Sequence, residues 1–138
     1  MTDKLKEAML SLKGHTVCAV YNETLNLSRE RGLKPLIGWL EEDPDFLRGA
    51  CVADKIIGRA AAFIMVHAGA AEVYAGVISH GALSVFEEAG IPCTYTNTCI
   101  AISNRRGDGI CPMEKAVSRI KDPKEAYETL REKVLSLN

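Results

Sequence analysis

A chain of 138 residues with 47% hydrophobic and 25% charged residues has the size and make-up of one globular domain and leaves no room for two. Its 17 Lys and Arg are balanced by 18 Asp and Glu, for a formal net charge of -1, which excludes the basic footprint that non-specific nucleic-acid binding requires. No apolar run reaches the ~18 residues of a membrane span, and the opening Met1-Thr2-Asp3-Lys4 lacks the form of a signal peptide, so a cytoplasmic protein with no membrane partner is expected.

The pattern predicts a first helix over 3–13, with Leu5, Met9 and Leu12 on one side and Gly14 ending it. A strand over 16–21, the turn Asn22-Glu23 and the alternating segment 24–28 then read as a hairpin. A short helix over 32–42 carries Pro35 early and stops at Asp43-Pro44-Asp45. The next strand is expected over 46–53, followed by a helix over 55–68 capped by Asp54 and ended by Gly69. After its first turn that helix is apolar nearly all round, so it belongs at the centre of the core. A strand over 71–78 leads to the cap Ser79 and a helix over 80–89 ended by Gly90, and 93–98 alternates as a strand. A polar loop over 104–109, a helix start at Cys111-Pro112-Met113-Glu114, and a last helix capped by Asp122 complete the chain. Strands joined by crossover helices lie parallel, so the order predicts a three-layer α/β/α domain with a mixed sheet covered on both faces.

The five cysteines have no C-x-x-C pair and an odd count, which argues against a disulfide framework. Cys18 and Cys51 lie in apolar stretches and read as small core residues. Cys93 and Cys99 have no recognised metal spacing, and His15 and His67 read as structural.

The order of a leading helix, a hairpin and then alternating strands and helices resembles the cytidine-deaminase-like fold. More closely, Asp54-Lys55-Ile56-Ile57-Gly58-Arg59-Ala60-Ala61 with Cys111-Pro112-Met113-Glu114 is similar to a small uncharacterised prokaryotic family grouped with that superfamily. The resemblance implies self-association to at least a dimer. The zinc motifs of the deaminases, H-x-E and P-C-x-x-C, are absent; Asp54-Lys55-Ile56 and Ser79-His80-Gly81-Ala82-Leu83 stand in their places. No metal, no cofactor and no hydrolytic deamination are therefore expected.

Asp54, Lys55 and Arg59 are expected at one tip of the central helix, where Lys55 and Arg59, four residues apart, face a phosphate or carboxylate together. The plainer reading has Asp54 as a cap and both cations in solvent. Gly58 in that turn costs about 1 kcal/mol of helix propensity, so close packing or ligand approach is expected there. Cys111, at a helix start downstream of Arg105 and Arg106, is the candidate nucleophile, or else a semi-buried cap residue. Glu114 is either a capping carboxylate or an acid/base partner. Ser79, His80, Asn104, Arg105 and Asp108 complete a hollow in which two helix tips and the polar loop converge on a small, nucleotide-like or otherwise anionic ligand. The alternatives are a sulfur carrier acting through Cys111 and a non-catalytic regulatory domain.

Overall fold

The computed structural model describes residues 1–104 and 106–137. Its five-stranded sheet has the order β2-β1-β3-β4-β5, built from β1 (Val17–Tyr21), β2 (Thr24–Ser28), β3 (Cys51–Ile57), β4 (Glu72–Ser79) and β5 (Cys93–Cys99). β1 and β2 form the antiparallel hairpin, turning at Asn22 in the left-handed region (φ 55°), a conformation that asparagine tolerates. β1 also runs antiparallel to β3, whereas β3, β4 and β5 are mutually parallel. The helices are α1 (Asp3–Leu10), α2 (Lys34–Glu42), α3 (Arg59–His67), α4 (His80–Ala89), α5 (Pro112–Ala116) and α6 (Pro123–Ser136). No helix among the described residues is long and apolar enough to cross a membrane.

Because β3, β4 and β5 step across the sheet in one direction, right-handed crossovers put α3 and α4 on the same face. That face carries the main core, where α2, α3, α4 and α6 pack through Leu36, Ile64, Met65, Phe86 and Leu130 against Val17, Val52, Val73 and Ile78. α3 is buried at every position from Ala60 to Met65, as an apolar central helix must be. On the other face α1 sits alone, closing a smaller cluster of Ala8, Leu12, Cys18, Val20 and Ala53. The cover is therefore unequal: one short helix leaves Leu25, Leu27 and Ile56 exposed on the sheet. Thr2 caps α1 and also donates its hydroxyl to the buried Glu72 at 2.6 Å, tying the start of the chain to β4.

The structure corrects the boundary at the centre of the chain. β3 begins at Cys51, residues 46–49 turn, and the strand continues through Asp54, Lys55, Ile56 and Ile57 before α3 starts at Arg59. The β-branched pair Ile56-Ile57 lies in register with Val77 and Ile78 of β4, and this pairing overrides a stretch whose period also suits a helix. The inward positions run Val73, Ala75, then Ile78 on β4, and Val52, then Ile57 on β3, so both strands shift phase near Lys55 and Gly76. A Cβ on Gly76 would lie 2.7 Å from the Lys55 carbonyl oxygen, which explains glycine at the kink.

Candidate functional site

The carboxyl ends of the three parallel strands deliver the chain to one place: Ile57 to Gly58 and α3, Ser79 to α4, and Cys99 to Ile100 and Ala101. A cleft of about 280 Å³ lies there, lined by Arg59, Ser79, Gly81, Ile100, Ala101, Ile110, Glu114 and Ser118. The tips of α3 and α4 do meet in it, since a Cβ on Gly81 would sit 3.6 Å from that of Arg59. A larger depression of about 540 Å³ lies against the β2 end of the hairpin, between His15, Leu27, Ser28, Arg29 and Glu30, and is open to solvent.

Glu114 gives the cleft its character. Its Oε1 accepts the Arg59 amide at 2.8 Å and its Oε2 the Ala60 amide at 2.7 Å, so a carboxylate from α5 caps the N-terminus of α3. The positive end of a buried helix thus holds an anion supplied by the protein itself. Gly58 is the residue that makes room. A Cβ there would fall 2.7 Å from Ile102 Cγ1 and closer still to Glu114 Oε1. The close approach expected at Gly58 is made by Glu114, and Gly58 stands at the extended cap position, not inside the helix.

Arg59 completes the same lock from the other side. Its Nε donates to the Val117 carbonyl at 3.2 Å and its Nη2 to that of Ile120 at 2.6 Å, satisfying the chain that leaves α5. The guanidinium carbon lies 4.7 Å from the centre of the Phe63 ring. Arg59 therefore faces carbonyls and a ring.

Asp54 and Lys55 are corrected most sharply: both are on β3, one strand turn before the helix tip, and neither lines the cleft. Lys55 is exposed and shares no helix face with Arg59. Asp54 caps no helix among the described residues; its Oδ1 accepts the amide of Ile56 at 3.4 Å. Burial pushes its carboxyl up to about 7, against the pull of the Ile56 and Lys55 amides.

Ser79 is buried and caps α4 by accepting the Ala82 amide at 3.1 Å. His80 opens α4 but its ring is exposed outside the cleft lining. Asn104 and Asp108 bond each other, Nδ2 to Oδ1 at 2.9 Å, in a loop closed by the Ser103–Ile110 bridge. The base of that loop lines the cleft through Ile110, whereas Asn104 and residues 106–109 do not. Arg105 lies outside the described residues. Cys111 is half-buried beside Ile110, caps α5 without a side-chain bond, and is not a lining residue. Burial raises the thiols of Cys18 and Cys93 to about 11, helped at Cys18 by the charge of Asp54. His67 stacks on Tyr127 of α6 with ring centres 4.5 Å apart, a packing role. Among the described residues no group of three or more His, Cys, Asp or Glu is placed to hold a metal ion.

Among the described residues the hollow is therefore lined by one engaged arginine, one engaged glutamate, two serines and a wall of Gly81, Ile100, Ala101 and Ile110. Gly81, Ile100, Ala101, Ile110 and Ser118 escape sequence reasoning because their neighbourhood exists only after three strands and a distant loop are assembled. Ile100, 84% exposed, is the one with a sequence trace, an isoleucine just past a strand end.

No curated protein matches the chain. A crystal structure of a DUF1893 family protein from Thermotoga maritima is similar in fold, with a TM-score of 0.84 and 29% identity, over 100% of this chain and 92% of that one. The family model for the domain of unknown function DUF1893 matches residues 5–134. Spanning nearly the whole chain, that match places the protein: it belongs to the DUF1893 family.

Proposed function

We propose that this domain binds a small nucleotide-like or otherwise anionic molecule in the cleft at the tips of α3 and α4, with its flat part against Ile100, Ala101 and Ile110. The observation that carries this reading is the position of the cleft at the carboxyl ends of β3, β4 and β5, beside Gly81. The start of α4, capped by Ser79 through the Ala82 amide, lies at this cleft, and the N-terminus of a helix suits an oxygen or an anion. At about 280 Å³ the cleft is just below the ~300–1,000 Å³ usual for ligand pockets, which suits a base-sized group with any sugar or phosphate left outside. The same placement of a base-sized site is what the cytidine-deaminase-like resemblance implies. No reaction is assigned, because Glu114 has both oxygens engaged by backbone amides and Cys111 is not among the lining residues. A sulfur carrier acting through the half-buried Cys111 is the alternative, and the Glu114 and Arg59 locks also suit a regulatory domain without chemistry.

Gly81→Ala separates binding from folding. The new Cβ meets Arg59 at ordinary contact distance and replaces glycine within a helix, so stability should rise by about 0.5–1 kcal/mol while the cleft narrows. Nucleobases, nucleosides and nucleotides are expected to raise the parent's melting temperature and to shift it less in Gly81→Ala. No shift with any of them at millimolar concentration, or equal shifts in both proteins, would refute the assignment.

A further inference from the structure

The two edges of the sheet are finished differently. β2 is bracketed by the exposed charges of Glu23, Arg29, Glu30 and Arg31, the usual protection against pairing with a stranger. β5, the opposite edge, is longer, and no charged residue occurs anywhere over 89–104. Residues from Tyr95 to Thr98 are exposed, and among the described residues β5 pairs with β4 alone, at the end of the strand order. Its Thr94, Tyr95, Thr96 and Thr98 are strand formers, and neither lysine nor proline interrupts them.

We infer that β5 pairs antiparallel with β5 of a second copy of this chain, joining two sheets into one about a two-fold axis at Thr96. Unpaired amides and carbonyls along an edge are complemented by a strand, and an uncharged edge fits a partner that is likewise uncharged. Full overlap of Cys93–Cys99 with itself requires the axis at the central residue, Thr96. Thr96 then faces the second copy's Thr96, and Thr94 faces its Thr98; threonine pairs are favourable across strands. In the same register Ile100, 84% exposed in the single chain, comes opposite Pro92 of the second copy, which covers it. Since Ile100 also lines the cleft, the pairing fixes one wall of the proposed ligand site from outside.

The test is the oligomeric state of the full chain by sedimentation equilibrium up to about 0.1 mM, because a strand-to-strand contact falls at the small end of specific interfaces, below about 1,200 Å². The parent should dimerise. Thr96→Lys and Thr96→Glu, each placing like charges face to face, should weaken the dimer about tenfold, and mixing the two should restore it. Circular dichroism shows whether each variant folds; if Thr96→Lys does not, the double variants Thr94→Lys/Thr98→Lys and Thr94→Glu/Thr98→Glu, which again set like charges face to face, repeat the experiment alone and mixed. A monomeric parent overturns the inference, including the case in which β5 takes a strand from a different protein. A dimer indifferent to these charges overturns it equally and assigns contact to β2 or the bare face beside α1.

Discussion

Glu114 decides the meaning of its neighbours. A carboxylate that accepts two amides at a helix start acts as a cap contributed from another element, and such charged bonds stabilise more than neutral ones. Glu114→Ala should destabilise the fold by about 2–3 kcal/mol, read from urea unfolding, because it leaves the Arg59 and Ala60 amides without their acceptor. Gly58→Ala should act on the same contact, since the added methyl occupies the space of the Glu114 carboxylate. The double variant is expected to cost clearly less than the two single losses added together; additive losses would mean that Gly58 acts through something else. The sequence already marked both residues, Gly58 as an expensive choice and Glu114 as a cap. It did not pair them, because 56 positions of chain separate two residues that meet only once α5 is seated on α3.

At the level of elements, the legible parts were those with local punctuation. α4 runs from the Ser79 cap to Gly90 as its sequence predicts, and α6 is capped by Asp122 through the Glu125 amide at 3.0 Å. The β3 to α3 junction was not legible, because Lys55-Ile56-Ile57 satisfies a helical pattern and only lateral pairing with β4 commits it to the sheet. That one boundary moved Asp54 and Lys55 out of the candidate site. α5, five residues long, is held mainly from outside, by Arg59 at its end and through Glu114. Arg59→Ala should accordingly raise amide exchange over residues 112–121 while leaving β3 and β4 protected. Arg59→Lys should not restore protection, since one ammonium does not reproduce the planar fork that reaches two carbonyls. Equal loosening of the whole sheet would contradict this account.

For the whole molecule, the least comfortable group is Asp54. Its carboxyl, raised by burial from 3.8 to about 7, is held in the form that the unfolded chain abandons at lower pH. Its contribution to stability is fully present below about pH 4 and is lost as pH rises towards 7, so the folded state bears the cost of a charged Asp54 in neutral solution. Asp54→Asn should therefore match the parent in urea midpoint near pH 4 and exceed it near pH 8. A difference independent of pH would show that Asp54 is hydrated in the fold.

Composition, periodicity and caps sufficed for the class of fold and the order of its elements, because burial of an apolar face and satisfaction of helix ends are local demands that a sequence displays directly. Which side chains share a cleft was decided only in three dimensions. The helix tip that the sequence offered to a ligand is occupied by Glu114, and the cation offered beside it faces the carbonyls of Val117 and Ile120. Residue type states what a group can bind, but not which of several partners arrives first; that is settled by the packing of α5 against α3 and by the extra strand length of β3, both products of contacts distant in the chain.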